Sequence, residues 1–238
     1  MTERTHMKLP EWLRRSEAQK IKDLVVFFGV GVVLHIIPFT RPLMVAITPF
    51  ALLASGLYVL GALAPWKRPR LLIFLTSAFV FTVAVEAAGV ATGLVFGEYH
   101  YGDALGPTLL GVPPIIGLVW CLVVVGSISL SLRLCQRRAV ALFLAPLFCV
   151  MFDMVLERGA VFLGYWTWEN GGCVATAVPL LNYAAWAVIS FLLTAVFLLL
   201  RIDVTSRLPA ANVIIQFVFF AIIVLFALLT GETSILLL

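Results

Sequence analysis

Long runs of apolar residues constrain this chain more than any other feature of its sequence. A helix needs about 20 apolar residues to cross the hydrocarbon core of a bilayer, and it satisfies its own backbone polar groups there. The runs lack the alternation of a membrane β-barrel. The sequence therefore predicts an all-α polytopic membrane protein with about seven transmembrane helices, over residues 23–38, 43–63, 70–95, 110–132, 139–163, 179–200 and 211–230.

The composition supports this fold class. Of the 238 residues, 63% are hydrophobic and only 12% are charged, whereas an ordinary soluble domain has about 25% charged residues. The polar N-terminus has no short apolar core followed by a small-residue cleavage site, so no cleaved signal peptide is expected. The 4 cysteines include no C-x-x-C pair, which argues against a disulfide framework or a zinc site.

Basic residues predict the orientation in the membrane. They gather in the N-terminal segment and in alternate connections between spans, which places those segments in the cytoplasm. We therefore expect a multi-pass protein of the cell membrane, with a basic cytoplasmic segment at 1–22 and a transmembrane domain at 23–238. Residues 8–22 form either an amphipathic helix on the inner leaflet or a solvated tail. Because the basic excess lies in loops on one side, no nucleic-acid partner is expected.

Three carboxylates inside the spans require an explanation, because charge within a bilayer is costly. At 1.5 Å per residue, Glu86 lies about 24 Å along the third span, and Asp153 and Glu157 lie about 21 and 27 Å along the fifth. Asp153 and Glu157 are four residues apart and share one helical face. The sequence predicts that the three acids meet in one apolar pocket near the outer surface, roofed by two outer loops.

Such a cluster suits acid–base chemistry. Crowded carboxyl groups in an apolar pocket cannot all ionise, so at least one is expected to stay neutral near pH 7. A neutral acid can protonate a weak base, and a neighbouring carboxylate can accept a proton from water. The structural alternative is that Glu86 bonds another span while Asp153 pairs with Arg158 or caps a broken helix. Arg158 is the expected counter-ion of Asp153 or Glu157, unless it extends to the headgroups.

Histidine and aromatic residues flank these acids in the outer loops. His100 lies between two tyrosines and is a candidate proton carrier, although a lone loop histidine is often only solvated. His35 has no evident partner in the sequence. The aromatic residues Tyr165, Trp166, Trp168 and Tyr183 form either an interfacial belt or the lining of a polyene site. Asn182 and Trp186 share one helical face, and an asparagine entering a span is expected to bond another helix.

Two stretches share one plan. Each has a carboxylate in a span, an aromatic outer loop rich in glycine, and a proline that opens the next span. The first runs from Glu86 to Pro113 and the second from Glu157 to Pro179. The likeness suggests an old internal duplication.

Missing motifs exclude several classes of membrane protein. The seventh span has no lysine for a retinal Schiff base. The chain has no acidic DDxxD run for a prenyl diphosphate and no histidine-rich boxes for a di-iron desaturase. It also has no P-loop and no dinucleotide-binding glycine motif.

Two blocks of residues resemble the integral-membrane carotenoid biosynthesis family, which includes carotenoid 1,2-hydratases and bisanhydrobacterioruberin hydratases. The first block is similar to the family pattern at Glu86, Gly89, Thr92, Gly93, Phe96, Gly97, Tyr99, Tyr101, Gly111, Val112, Pro113 and Trp120. The second is similar at Asp153, Glu157, Trp166, Trp168, Pro179, Asn182, Tyr183 and Trp186. The chain departs from the pattern at Arg158, where the family has proline, and in the segment 171–177.

The resemblance implies hydration of the terminal C1=C2 bond of an acyclic carotenoid end, with no cofactor and no metal. Asp153 or Glu86 would protonate the double bond, Glu157 would take the proton of the attacking water, and His100 would relay protons outward. The implied partners are an acyclic carotenoid, water, the lipid bilayer and other enzymes of carotenoid biosynthesis. The implied substrate-binding residues are Tyr99, Tyr101, Trp120, Trp166, Trp168, Asn182, Tyr183 and Trp186.

Two alternatives stay open. A lycopene-cyclase-type enzyme would form the same cation but lose a proton instead of capturing water. A carotenoid or lipid carrier, or a transporter, would use the acids for binding or coupling. Product mass distinguishes them, because hydration adds one water, cyclisation adds nothing, and a carrier leaves the pigment unchanged.

Overall fold

Helices form most of the chain that the structure describes. The structure is a computed structural model, and it describes residues 15–169 and 178–231. A two-stranded ribbon and two 3-10 turns, Pro65–Lys67 and Asp103–Leu105, complete this part of the chain. In chain order the elements are α1 (Glu17–Ile36), α2 (Arg41–Leu63), α3 (Pro69–Thr92), β1 (Tyr99–Tyr101), α4 (Ile115–Leu134), α5 (Arg138–Phe162), β2 (Trp166–Trp168), α6 (Leu180–Leu199) and α7 (Leu208–Thr230).

The predicted fold class, an all-α multi-pass membrane protein, is confirmed. The six helices from α2 to α7 are each long and apolar enough to cross a membrane. The first helix also has 20 residues, but it is not among these six candidate spans. Four charged residues occupy its first two turns, namely Glu17, Lys20, Lys22 and Asp23. Residues 17–22 therefore continue into α1 and are not a separate surface helix. Residues 1–14 lie outside the described part of the chain.

Two span boundaries differ from the prediction because of backbone conformation. Helix α3 ends at Thr92 and not at residue 95, since Gly93 caps it with φ of 67°. Helix α4 begins at Ile115 and not at residue 110. A tight turn precedes it, in which Leu110 and Gly111 both have positive φ, at 53° and 81°. The other predicted bounds lie within three residues of the helix ends, apart from the first span.

Helix α4 is the centre of the bundle. In its most apolar window 72% of the residues are buried, against 22–39% in the other five candidate spans. It packs against α2, α3, α5, α6 and α7. Gly126 allows the contact with α7, because a Cβ there would lie 2.7 Å from the carbonyl oxygen of Pro209. Close backbone approach at small residues is the usual basis of helix packing in membranes.

The two outer connections, which we expected to be loops, pair with each other. Strands β1 and β2 form an antiparallel ribbon in which Tyr99 pairs with Trp168, His100 with Thr167 and Tyr101 with Trp166. The ribbon joins the α3–α4 connection to the α5–α6 connection, and it therefore fixes the ends of α3 and α5 relative to each other.

Candidate active site

The ribbon turns its aromatic side chains toward the helices. Successive residues of a strand point to opposite faces, and in both strands the first residue is buried and the middle one is exposed. Tyr99, Tyr101, Trp166 and Trp168 therefore share the inner face. His100 is on the outer face with Thr167.

Glu86 receives three hydrogen bonds. The hydroxyls of Tyr99 and Tyr101 lie 2.5 and 2.8 Å from its Oε2. The indole nitrogen of Trp120 donates to Oε1 at 2.8 Å. Glu86 is buried, with 5% of its surface exposed. The carboxyl group is thus held by two groups from the ribbon and one from α4.

Glu157 is held by a different set of donors. The indole nitrogens of Trp166 and Trp168 both donate to its Oε2, at 2.8 and 3.0 Å. The amide nitrogen of Asn182 lies 3.5 Å from Oε1. An indole N–H can only donate. Oε2 is therefore an acceptor for two groups, and a proton on this carboxyl could reside only on Oε1.

Asp153 lies one helical turn below Glu157 and is fully buried. The amide nitrogen of Asn182 donates to its Oδ2 at 2.7 Å, so this asparagine bridges the two acids of α5. Within residues 15–169 and 178–231, Oδ1 of Asp153 has no hydrogen-bond partner. The predicted ion pairs of Arg158 with Asp153 and Glu157 are wrong, because neither is present among the described salt bridges.

One cavity of about 400 Å³ connects these groups. Glu86 and Glu157 both line it, together with the four inner aromatic residues of the ribbon. Trp120 and Trp186 also line it and stack on each other, with ring centroids 3.7 Å apart. Two carboxyl groups thus face one space that is walled mostly by aromatic and aliphatic side chains. Ligand pockets of small molecules typically measure about 300–1,000 Å³.

The far wall of this cavity belongs to α1, α2 and α7. Its α1 and α2 residues include Val26, Val30 and Ile47, which are 64%, 53% and 40% exposed on the outside of the bundle. The cavity therefore extends to the apolar surface of the protein between α1 and α2. This surface faces lipid if these helices cross the bilayer.

Three of the residues expected at the site do not line the cavity. His100 is exposed, with its Nδ1 3.1 Å from Oε1 of Glu169 and its Nε2 2.8 Å from the hydroxyl oxygen of Thr167. Asp153 and Tyr183 do not line the cavity. The other nine expected residues do, and we find Tyr165 there as well, hydrogen-bonded to Thr48 at 2.9 Å.

Sequence reasoning missed the polar residues of α7. Gln216 lines the cavity, and its amide nitrogen donates to Oδ1 of Asn212 at 3.2 Å. Both side chains are buried. Two amides four residues apart inside an apolar span are a signal of the same kind as the three acids. Among the described residues, His, Cys, Asp and Glu side chains form no group of three that could hold a metal ion.

Comparisons with known proteins identify the family of this chain. A family model described as "Carotenoid biosynthesis protein" matches residues 27–237. The chain is similar to bisanhydrobacterioruberin hydratase of Haloarcula japonica, with 33% identity over 142 residues, 58% of this chain and 48% of that relative. The chain thus spans about half the length of the curated relative that it matches. No solved structure matches it. Because the family model extends from α1 to beyond α7, the chain belongs to the family of carotenoid biosynthesis proteins.

Proposed function

We propose that the protein adds water across the terminal C1=C2 bond of an acyclic carotenoid end group. The observation that carries this proposal is the pair of carboxyl groups, Glu86 and Glu157, at one apolar cavity under the ribbon. An apolar wall suits a hydrocarbon end, and two carboxyl groups suit the two proton transfers of a hydration. The printed name of the Haloarcula relative, a hydratase, supports the same reaction.

Glu86 is the proton donor in this proposal. Two of its three partners are tyrosine hydroxyls, which can either donate or accept a hydrogen bond. The same contacts therefore suit the protonated and the ionised forms of the acid. A proton moves from Glu86 to C2, and a tertiary cation forms at C1.

Glu157 acts as the fixed negative charge and as the base. Its two indole donors favour the carboxylate, which stabilises the cation at C1 together with the faces of the surrounding aromatic rings. Water then forms the C1–O bond. It gives one proton to Oε1 of Glu157 and keeps the other in the product alcohol. A proton must return from Glu157 to Glu86, through water in the cavity, before the next turnover. The net reaction consumes one water and no cofactor.

Asp153 is a positioning residue in this scheme, because it does not line the cavity. It holds the amide of Asn182, which in turn faces Oε1 of Glu157. His100 takes no part in the reaction as we propose it, since it lies on the exposed face of the ribbon.

The setting of this reaction is also a proposal. We place the protein in the cell membrane with its N-terminus in the cytoplasm, the basic segment 1–22 inside and the ribbon at the outer surface. Other enzymes of carotenoid biosynthesis would supply the acyclic pigment and use the alcohol.

Pigment mass is the test of the reaction. The chain is expressed in a lycopene-producing bacterium, and the pigments are analysed by mass spectrometry. We expect products heavier by one water per reacted end, and we expect Glu86→Gln to reduce them about 100-fold or more, because general acid catalysis contributes that much. The matched control is Glu169→Gln, which changes an exposed carboxyl group beside the ribbon. Products of unchanged mass with new rings would indicate a cyclase, and unchanged pigment would indicate a carrier.

A further inference from the structure

The cavity has a second polar region on the wall opposite the ribbon. His35 on α1 and Gln216 on α7 both line the cavity and are only 6% and 3% exposed. Phe219 and Phe220 of α7 lie beside them on the same wall. The mechanism proposed above uses neither polar residue, so their presence in an apolar wall requires a separate explanation.

The hydrogen bond of His35 fixes which ring nitrogen carries the hydrogen. Its Nδ1 lies 2.7 Å from the carbonyl oxygen of Gly31. A carbonyl oxygen can only accept, so Nδ1 must donate. The ring is expected to be neutral because it is buried and because a positive charge lies close to it. That charge belongs to Arg41, whose Nε donates to the backbone carbonyl oxygen of His35 at 3.0 Å. In the neutral ring Nε2 is then an acceptor.

This acceptor has no partner in the part of the chain that the structure describes. Nε2 is buried and makes no hydrogen bond within residues 15–169 and 178–231. Because Nδ1 is bonded to the backbone of its own helix, Nε2 points away from that helix. The ring of Phe219 packs edge-on against the imidazole, with centroids 5.4 Å apart. A buried acceptor without a partner is costly, which indicates a donor from a bound molecule.

The neighbouring amide offers the same chemistry. Gln216 donates one amide hydrogen to Asn212, which leaves its oxygen as an acceptor and its second amide hydrogen as a donor. An acceptor nitrogen and an amide oxygen together suit an O–H donor. An alcohol needs only one acceptor for its single hydrogen. Beside the aromatic rings of this wall, an alcohol on an apolar ligand matches these groups.

We propose that His35 recognises a hydroxyl group on the carotenoid end that occupies the cavity, with Nε2 accepting its hydrogen bond. This inference rests on the proposed function for the identity of the ligand class. The hydroxyl has two sources. It is either present on the end group before the reaction, at a carbon other than C1, or it is the tertiary alcohol that the reaction creates. The chemistry at Nε2 is the same in both cases.

Three small isoprenoids of the same carbon skeleton test this proposal by direct binding. Citronellene has the reacting double bond and no hydroxyl. Linalool adds a hydroxyl at an internal carbon, and dihydromyrcenol is the alcohol formed by hydrating the reacting bond of citronellene. Binding to the purified full chain in nanodiscs is followed by tryptophan fluorescence, since Trp120, Trp166, Trp168 and Trp186 line the cavity. Affinities are corrected for partition into lipid.

We expect at least one alcohol to bind about tenfold more tightly than citronellene, the worth of one buried hydrogen bond. His35→Phe should remove this preference while leaving citronellene binding within twofold, since the phenyl ring can keep the contact with Phe219. A preference for linalool identifies a hydroxyl on the substrate, and a preference for dihydromyrcenol identifies the product. The matched control is His100→Phe, which should keep the preference.

Two results would overturn the proposal. One is equal affinity of the wild type for all three compounds. The other is a preference for an alcohol that persists in His35→Phe. If that variant does not fold, His35→Leu replaces it, and the wild-type affinities alone still decide the first point. Because binding is measured without turnover, absence of hydration would overturn the proposed function and leave this test intact.

Discussion

The two halves of the site follow one plan but hold their acids with different donors. In the first half α3 carries Glu86, β1 follows, and α4 closes the unit. In the second half α5 carries Glu157, followed by β2 and α6. A glycine with positive φ lies seven residues after each acid, Gly93 at 67° and Gly164 at 73°. The antiparallel pairing relates β1 and β2 by a local twofold axis between His100 and Thr167.

The difference lies in what surrounds each carboxyl group. Tyrosine hydroxyls bond Glu86, and they can reverse their hydrogen bonds when the acid loses or gains a proton. Indole groups bond Glu157, and they cannot. Only the second half has an additional acid, Asp153, at the position one turn deeper. The two halves thus share a plan but differ in their donors, which are hydroxyls that can also accept at Glu86 and indoles that can only donate at Glu157.

The largest expected effect comes from removing the fixed charge. Glu157→Gln should lower the yield of hydrated pigment about 100-fold or more, because the cation loses its stabilising carboxylate and the water loses its base. The measurement is pigment mass in the lycopene-producing strain, normalised to protein in the membrane. Half of the wild-type yield or more would show that the second half has no chemical role.

Removing the reversible donors should have a smaller effect. Tyr101→Phe deletes one hydrogen bond to Glu86 and leaves the ring in place, so we expect kcat to fall about tenfold, the worth of one bond to a charged group. KM should change little. The matched control is Tyr58→Phe, which removes a hydroxyl bonded to Asp23, and neither of these residues lines the cavity. Equal losses in both variants would mean that the hydroxyl of Tyr101 acts only through general stability.

The additional acid of the second half should matter less again. Asp153→Asn preserves shape and burial, and we expect about a fivefold loss in kcat, less than a directly acting group contributes. The pH profile of kcat should also shift, because a titratable group beside Glu157 is gone. Asp203→Asn, at an exposed residue paired with Arg138, is the control. An unshifted pH profile with reduced thermal stability would make Asp153 a structural residue.

The smallest expected effect is on the free energy of unfolding. It comes from glycine substitutions in the two turns that end the acid-bearing helices. Alanine at Gly164 meets no atom within 4 Å, so it should cost only the strain of positive φ, about 1 kcal/mol. Alanine at Gly93 would also lie 2.8 Å from Cγ of Glu98 and should cost slightly more. Thermal unfolding in detergent measures both, with Gly29→Ala as the control in open space. A neutral Gly164→Ala would show that the turn relaxes.

The sequence was sufficient to predict most of the spans and the position of Glu86 and Glu157 at one cavity. Continuous apolar runs give helix positions because lipid permits few other structures. Equal depths along two spans indicated that Glu86 and Glu157 would meet. The shared plan of the two halves was also visible, although the pairing of their outer loops was not. That pairing is non-local, and no residue pattern specifies which distant strand a three-residue segment will join.

Side-chain direction accounts for the other differences between the predicted site and the observed one. Tyr99, His100 and Tyr101 alternate in a strand, and the tyrosines take the inner face while the histidine takes the outer one. Asp153 shares a helical face with Glu157, but the cavity ends above it. The role that we propose for His35 could not be inferred from sequence. It depends on Nε2 having no partner among the described residues and on the bond of Nδ1 to Gly31, which makes Nε2 the acceptor.

The opening of the cavity between α1 and α2 has a kinetic consequence. Val30 and Ile47 belong both to the cavity and to the outside of the bundle. If α1 and α2 cross the bilayer, the substrate of the proposed function, a pigment dissolved there, would reach the carboxyl groups without entering an aqueous phase. Encounters then occur by two-dimensional diffusion. The saturation of such an enzyme would depend on the mole fraction of pigment among the lipids, and diluting the vesicles with buffer would leave its rate unchanged.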